Sequence, residues 1–191
     1  MKSWQRYTIC LALGLVAGAG YAMQQLRSGM ADDGIQIGAW TTGKSYGSAD
    51  ATALTRARVA LSGLLALPAK EAMYFTAKVA SDGSALDGRC TYIVSGGKLE
   101  GRWWSVTLYQ GDGWLVKNAA NRWSIPAHAA NQGEGGRWSF TVSPDMHPGA
   151  WLPTGGVRAF DMTLRLYHPS PSLVAYPAKA SLPSIRRVKC L

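Results

Sequence analysis

The sequence predicts a mainly β protein: a jelly-roll-like antiparallel β-sandwich with one amphipathic helix, preceded by an N-terminal transmembrane helix. Two observations predict the sandwich: apolar residues recur at every second position in several short segments, and Gly or Pro residues separate those segments. A third, the uncharged and mostly apolar run at 7–23, predicts the membrane helix. We expect a membrane anchor or signal peptide at 1–27, a linker at 28–49, and a helix plus β-sandwich domain at 50–191.

The apolar run near the N-terminus has the layout of a membrane-inserting segment. Lys2 and Arg6 precede it and the next charge is Arg27, which places the basic end in the cytoplasm. The run would form roughly 25 Å of helix, slightly less than a bilayer core of about 30 Å. Small residues at 17–19 and 20–22 offer cleavage positions, so the sequence leaves both an anchor and a signal peptide open. We expect a single-pass inner-membrane protein with its C-terminal domain in the periplasm.

One amphipathic helix is predicted after the Gly-rich linker. Leu54, Ala57, Leu61 and further apolar residues recur at helical spacing, Asp50 is a good N-cap, and Pro68 ends the run. The helix would have about four turns between residues 50 and 67. The linker itself contains one short apolar alternation at 35–39 that could form a strand.

From residue 74 onward the apolar period is two, as in half-buried strands. The predicted strands have inward-facing residues in these groups: Phe75, Ala77 and Val79; Cys90, Tyr92 and Val94; Trp104, Val106 and Leu108; Trp138, Phe140 and Val142; Phe160, Met162, Leu164 and Leu166. Asp112 and Gly113 predict a tight hairpin into a strand at 114–116. These patterns predict seven or eight strands. The Pro-rich end after Pro169 is predicted to be an extended segment lying over the sandwich, neither strand nor helix.

Two cysteines lie outside the membrane segment, Cys90 and Cys190. An oxidising compartment would favour their pairing, which would hold the C-terminal tail against the core. The alternative is two unpaired buried thiols. Cys10, inside the apolar run, is expected to be a small apolar residue in the membrane.

The chain is basic, with a formal net charge of +9, and +7 remains when Lys2 and Arg6 are left out. The basic residues are scattered, except for Arg186, Arg187 and Lys189 at the end. These three side chains predict contact with an anionic surface, and a solvated, solubilising surface is the alternative. We expect no nucleic-acid partner, because the domain would lie on the opposite side of the membrane from the cytoplasm.

Residues 38–45 match the P-loop pattern, with Gly38 at its start and Lys44 and Ser45 in the phosphate and magnesium positions. A working P-loop needs a helix that starts at its Lys-Ser and a parallel sheet around it. Neither is predicted here, so we expect no nucleotide binding. The overlapping segment 43–47 matches the nucleophile-elbow pattern of α/β-hydrolases, which also requires a parallel strand that runs directly into a helix. A flexible linker explains both matches.

No metal site or cofactor is predicted. The three histidines, His128, His147 and His168, are about twenty residues apart and lack the close spacing of metal ligands. Asp82, Asp87 and Asp112 each precede a glycine, where a turn explains the carboxylate. We therefore expect surface histidines and turn aspartates.

Aromatic residues offer the best candidate for function, because the chain contains eight tryptophans. Trp104, Trp138 and Trp151 are predicted to lie in the core. Six other residues could share an outer sheet face and bind a ligand: Arg102, Trp103, Tyr109, Trp114, Arg122 and Trp123. Aromatic rings beside guanidinium groups suit glycan stacking or protein contact, although core packing and cation–π contacts would also explain them.

The chain resembles a bacterial family of unknown function, DUF1214, from about residue 35 to 190. The resemblance is carried by segments 74–77, 86–92, 102–105, 113–116, 121–122, 136–138, 151–155 and 164–167, among which Trp103-Trp104 and the Trp-Leu-Pro-Thr-Gly run at 151–155 are quite specific. The resemblance implies a jelly-roll-like β fold, an N-terminal membrane segment in similar proteins, and larger chains in which the domain follows a second uncharacterised domain, DUF1254. It implies no established activity and no catalytic residue.

Two functions follow as hypotheses. The first is a membrane-tethered periplasmic β-sandwich that binds or scaffolds an envelope protein or glycan without catalysis. The second is a periplasmic hydrolase-like enzyme that acts on a glycan or acyl substrate and uses loop residues such as Asp145, His147 and His168. A pocket that gathers these three residues would favour the enzyme, whereas an exposed aromatic face would favour binding.

Overall fold

The computed structural model describes residues 3–27, 34–61 and 64–190. Helix α1 is Ser3–Arg27, α2 is Ala53–Leu61 and α3 is Pro171–Ala175. The strands are β1 Gly34–Ile37, β2 Trp40–Gly43, β3 Ala72–Ala77, β4 Cys90–Gly96, β5 Gly101–Gln110, β6 Ser124–Pro126, β7 Asn131–Gln132, β8 Trp138–Ser143, β9 Trp151–Pro153, β10 Phe160–Pro169 and β11 Ser184–Cys190.

The strands form two sheets around one core. The first sheet has the order β1-β2-β3-β10-β5-β6 and the second the order β11-β4-β8-β7, with β9 added beside β8. All pairs are antiparallel except β8 with β9. Trp104 of the first sheet contacts Trp138 of the second with ring centroids 4.2 Å apart. The predicted mainly β, two-sheet architecture is confirmed, whereas the pairing does not by itself establish a jelly roll.

The core is built from the alternating residues that the sequence predicts to face inward. Phe75, Val106 and Leu164 of the first sheet and Tyr92 and Phe140 of the second are fully or almost fully buried. Trp104, Trp138 and Trp151 are also buried. Burial of these apolar side chains supplies the main stabilising free energy of the sandwich.

The strand count exceeds the predicted seven or eight, because several strands are too short to show an alternation. Strands β6, β7 and β9 contain only two or three residues each. The predicted strand at 114–116 is reduced to one antiparallel bridge, between Tyr109 and Leu115, although the Asp112-Gly113 turn is present. Residues 34–43 form β1 and β2, where the sequence predicts a linker with one possible strand. The first part of the predicted linker, residues 28–33, lies outside the described residues.

The amphipathic helix is shorter than predicted. Helix α2 starts at Ala53, and the hydroxyl of Thr52 accepts a hydrogen bond from the backbone N–H of Thr55 at 3.1 Å. Thr52 is therefore the N-cap, where the sequence suggests Asp50. Leu64 and Leu65, assigned to the helix from their spacing, follow it in an irregular segment.

The C-terminal segment corrects another prediction. Helix α3 and strand β11 occupy the Pro-rich end, and β11 pairs with β4. The prolines end at Pro183, so every later residue can donate to a sheet ladder, and Ile185 is completely buried in the core. The predicted disulfide between Cys90 and Cys190 is present.

Helix α1 carries the membrane prediction. Within the described residues it is the one helix long and apolar enough to cross a bilayer, over Ser3–Leu26, and none of its apolar window is buried against the rest of the chain. A membrane anchor and a signal sequence share these properties.

Candidate functional site

The most elaborate polar and aromatic surface lies on the outer face of the first sheet, meaning the side of β3, β10 and β5 that points away from the second sheet. Directly paired residues of neighbouring strands point to the same side, so the register defines this face. Its residues are Tyr74 and Thr76 on β3, Asp161, Thr163, Arg165 and Tyr167 on β10, and Trp103, Ser105, Thr107 and Tyr109 on β5.

Arg165 occupies the centre of this outer face. Its Nη1 donates to the Thr107 hydroxyl at 3.1 Å and its Nη2 donates to the Tyr109 hydroxyl at 2.6 Å. The guanidinium carbon lies 6.0 Å from the Tyr74 ring centroid and 5.5 Å from the Tyr109 ring centroid. Two aromatic rings and two hydroxyl acceptors thus fix the planar group, and a guanidinium held in this way can present its other N–H donors to a ligand.

A row of hydroxyl side chains crosses the same face at right angles to the strands. The register aligns Thr41, Thr76, Thr163, Thr107 and Ser124, one from each of β2, β3, β10, β5 and β6. The hydroxyls of Thr76 and Thr163 are 3.4 Å apart. Thr107 and Thr163 in the middle of the row are buried, whereas Thr41 and Thr76 are half-buried and Ser124 is exposed. Hydroxyls both donate and accept hydrogen bonds, so the outer members of the row offer both kinds of partner.

Asp161 supplies the carboxylate of the outer face and lies directly opposite Tyr109. Its oxygen is 3.6 Å from the Nζ of Lys78, which is itself largely exposed. Burial raises the pKa of the Asp161 carboxyl above its ordinary value of 3.8, because desolvation outweighs the attraction of Lys78. A partly buried carboxylate with one exposed ion-pair partner retains lone pairs for a hydrogen-bonding ligand.

Trp103 and Tyr167 form the aromatic end of the outer face. They are register partners, and their ring centroids lie 5.2 Å apart at a tilt of 48°. Trp103 is 39% exposed, so part of its ring surface is available for stacking.

Of the six residues predicted to share one face, the structure brings together Trp103 and Tyr109. Arg102 is exposed, but it alternates with Trp103 and therefore projects to the other side of β5. Trp123 and Trp114 are exposed at the end of the sheet, where their carbonyls accept from the backbone N–H groups of Leu108 and Gln110. Trp114 lines an open depression there, together with Gln110, Asp112, Leu115 and Lys117.

Arg122, predicted to lie on the ligand-binding face, contacts Trp151 of β9. Its Nη1 donates to the carbonyl of Trp151 at 2.8 Å, and its guanidinium lies 5.8 Å from the Trp151 ring centroid. It therefore connects the loop after β5 to the short strand β9. Asn118 holds this loop in place by accepting from the backbone N–H of Arg122.

The basic C-terminal residues lie on the edge strand β11. Arg186 and Lys189 are exposed, and Arg187 forms an ion pair with Asp82 at 3.4 Å. Basic side chains on an edge strand also discourage pairing with another chain, which is sufficient reason for their presence. Their predicted contact with an anionic surface stays a prediction.

The residues named for a hydrolase are not brought into hydrogen-bond contact within the described part of the chain. Asp145 is exposed in the turn after β8, where its backbone N–H donates to the Ser143 hydroxyl. His168 lies at the end of β10 with its Nδ1 3.7 Å from a carboxylate oxygen of Glu71. His147 is half-buried in the same turn as Asp145, and His128 is exposed in the loop after β6. The described residues contain no group of three potential metal ligands.

The P-loop-like segment forms a different structure. Residues 38 and 39 make the turn of the β1–β2 hairpin, and the segment continues as β2, with Trp40 and Thr42 buried. The Lys44 ammonium donates to the carbonyl of Ala175 at 3.2 Å. The nucleophile-elbow match at 43–47 follows β2 without entering a helix. The three Asp-Gly turns are as predicted, since each carboxylate accepts from the backbone N–H two residues later.

Arg165 and Asp161 are the two charged residues of the outer face, and the sequence does not single them out as site residues. They occupy the outward positions of the clearest alternation in the chain, opposite Met162 and Leu164. Charged residues at two of the four outward positions of this strand were the available signal. What the sequence does not show is that β5 lies beside β10, which brings Tyr109 and Thr107 to Arg165.

A solved structure shares this fold. The VPA0106 protein from Vibrio parahaemolyticus matches 93% of this chain with a TM-score of 0.62 at 22% identity, and the chain spans 44% of that protein's length. A putative uncharacterized protein from Burkholderia cenocepacia is similar over 63% of this chain and 30% of its own length, with a TM-score of 0.46 at 16% identity. No curated protein matches the chain.

The sequence model of one family covers residues 71–171, which run from the start of β3 to the start of α3 and include the whole of β10 and β5. The chain therefore belongs to the family described as protein of unknown function, DUF1214.

Proposed function

We propose that this chain is a membrane-tethered domain of the cell envelope that binds a glycan without catalysis, through the outer face of the first sheet. The single observation that carries the proposal is Arg165, whose guanidinium is held between Tyr74 and Tyr109 in the centre of a face that also contains Asp161 and exposed Trp103. The tether in the proposal is α1, with the domain on the periplasmic side.

The chemistry of this face suits a polyhydroxyl ligand. Vicinal hydroxyls of a sugar can donate to a carboxylate such as Asp161 and accept from a guanidinium such as Arg165. The apolar face of a sugar ring can stack on an indole such as Trp103. The outer hydroxyls of the row, those of half-buried Thr41 and Thr76 and exposed Ser124, add further donors and acceptors.

Two further features support the envelope location. The apolar surface of α1 is unburied over its whole apolar window, as expected of a helix that lies in lipid. The disulfide between Cys90 and Cys190 is typical of an oxidising compartment such as the periplasm.

Binding of the full-length protein in detergent to envelope polysaccharides tests the ligand. We expect Trp103→Ala and Arg165→Lys to weaken binding, since the first removes the stacking ring and the second keeps the charge but loses the planar fork. Trp114→Ala is the matched control: Leu115 is the residue that pairs with Tyr109, so exposed Trp114 projects to the other side. Equal binding by all three variants would contradict the assignment to this face, and no binding to any polysaccharide would contradict a glycan ligand.

A reporter fused after Cys190 tests the compartment. An enzyme that is active only after export should be active in cells that carry this fusion. Activity of a cytoplasm-specific reporter at the same position would reject the periplasmic orientation.

A further inference from the structure

We infer that three exposed leucines hold the β-sandwich against the membrane surface by lying in the outer interface of the bilayer. They are Leu61, the last residue of α2, and Leu65 and Leu67, which follow the helix. The inference rests on the tether proposed above and adds to it a second, peripheral contact with lipid. The partner of the leucines is lipid, at the boundary between the headgroups and acyl chains of the membrane into which α1 inserts.

The exposure of these leucines is the first observation. Leu61 is 64% exposed, Leu65 93% and Leu67 46%, and they fall within seven residues of chain. A single exposed leucine is ordinary on a protein surface, but a group of large apolar side chains marks a contact with a partner or with lipid.

The fold fixes this exposure. The backbone N–H of Leu67 donates to the Tyr74 hydroxyl at 3.0 Å, and that hydroxyl donates to the carbonyl of Leu65 at 3.3 Å. Tyr74 is buried in β3, so it attaches the backbone of this segment to the sheet. With the Leu67 N–H and the Leu65 carbonyl held by Tyr74, the side chains of Leu65 and Leu67 remain exposed to the outside.

The position of α2 beside the end of α1 identifies lipid as the occupant. The guanidinium of Arg58 donates from Nε at 3.1 Å and from Nη2 at 2.6 Å to the carbonyl of Gln25, in the last turn of α1. The last carbonyls of a helix have no partner within the helix, so this contact both satisfies one of them and attaches α2 to the anchor. In the proposed orientation this end of α1 reaches the outer interface, and Leu61 follows Arg58 by less than one turn of helix.

The residue types agree with an interfacial segment. Exposed Lys70 follows Leu67 in the chain, and exposed Arg56 lies on the same short helix as Leu61, where its guanidinium also donates to the carbonyls of Ala51 and Ala49. Basic side chains beside leucines are characteristic of helices that lie in the headgroup region, where the cations meet anionic lipid. The leucines also lie next to Tyr74, which contacts Arg165 in the candidate glycan site, so that site would face a ligand close to the membrane.

Spin labels on the full chain test this inference. In a Cys10→Ser background, Leu65→Cys and Met146→Cys each receive a nitroxide label, and the protein is reconstituted into vesicles of phosphatidylethanolamine and phosphatidylglycerol. Met146 is the control, because it is 81% exposed in the turn after β8. We expect the label at position 65 to collide more often with oxygen, which concentrates in lipid, than with a water-soluble nickel complex, and the label at position 146 to show the reverse.

The outcomes separate the tether from the added contact. If the protein floats with the vesicles but both labels prefer the nickel complex, the leucine contact is wrong and the tether stands. If the protein does not float, the tether fails and the leucine contact fails with it. Cross-linking of position 65 to the same position of a second copy, with shielding from both reagents, would identify a dimer contact and also overturn the inference.

Discussion

Cys190 lies directly opposite Cys90 in the ladder between β11 and β4, and a disulfide joins the two residues across a sequence separation of 100. Cys90 is buried at the start of β4, whereas Cys190 is exposed at the end of the edge strand. The bond therefore holds the end of edge strand β11, which would otherwise separate most readily, against the second sheet. It also fixes the exposed basic residues of β11 to the core.

Removal of this bond should destabilise the domain without changing its fold. For the double variant Cys90→Ser with Cys190→Ser we expect the free energy of unfolding to fall by up to about 4–5 kcal/mol, because the unfolded chain regains the entropy of a loop of about 100 residues. Chemical denaturation of the full chain in detergent measures this change. Cys10→Ser, a change in α1, is the control, and an unchanged free energy of unfolding in the double variant would contradict the stabilising role.

The adjacent tryptophans of β5 should behave in opposite ways. Trp104 is 7% exposed and packs on Trp138, so Trp104→Ala should lower the free energy of unfolding by about 3–5 kcal/mol. Trp103 is 39% exposed on the outer face, so Trp103→Ala should affect stability much less while it weakens ligand binding. Chemical denaturation and ligand binding should be measured on both variants. If Trp103→Ala lowers the free energy of unfolding as much as Trp104→Ala does, Trp103 belongs to the core instead.

The Trp-Leu-Pro-Thr-Gly segment at 151–155 has a structural role in this chain. Thr154 is completely buried, and its hydroxyl donates to the carbonyl of Gly88, while its backbone N–H donates to the carbonyl of Ser143. A Cβ on Gly88 would collide with the backbone of Val157, so this approach requires glycine. The segment thus joins the end of β8 to the turn before β4.

Loss of the Thr154 hydroxyl should therefore be costly. For Thr154→Val we expect a loss of about 1–3 kcal/mol in the free energy of unfolding, because the buried carbonyl of Gly88 loses its hydroxyl donor. Thr154→Ser keeps the hydroxyl and serves as the matched control. Equal destabilisation by Val and Ser in a denaturant titration would attribute the effect to packing and not to the hydrogen bond.

The core of the fold could be predicted from the sequence because burial on one side of a strand leaves a period of two. This holds for Phe160 to Leu166 in β10 and for Trp138 to Val142 in β8. Strand β11 lacks the signal, since Ile185 is its one buried residue and the edge position leaves the rest exposed. A period of two cannot appear where only one position faces the core.

The candidate site was predictable in part, and the missing part has a topological cause. Alternation along β5 places Trp103 and Tyr109 on one face. Arg165 is 56 residues from Tyr109 in the chain, and their contact depends on β10 pairing with β5. No local pattern specifies which strands become neighbours in an antiparallel sandwich, so residues contributed by another strand cannot be assigned before the sheet order is known.

Two aspartates should affect stability with opposite signs as pH changes. Burial raises the pKa of Asp161 above 3.8, so the folded protein holds this proton more tightly than the unfolded chain does. Ionisation of Asp161 therefore lowers the free energy of unfolding as pH rises above 3.8. Hydrogen bonds from Arg89 lower the pKa of Asp87 from 3.8 to about 2. The ionised carboxylate therefore stabilises the fold above pH 3.8, and this contribution is lost as pH falls towards about 2.

Denaturation of Asp161→Asn and Asp87→Asn at pH 7 and in acid measures both effects. At pH 7 we expect Asp161→Asn to be more stable than the natural chain, because a neutral amide avoids the desolvation of a charge, and Lys78 loses little since its side chain is exposed. Asp87→Asn should be less stable at pH 7, because Arg89 loses its charged partner. The Asp161 difference should shrink as pH falls towards 3.8, where the carboxyl is protonated in the folded protein, and the Asp87 difference should shrink as pH falls from 3.8 towards about 2. Destabilisation by Asp161→Asn at pH 7 would instead show that its attraction to Lys78 outweighs the cost of burying the carboxylate.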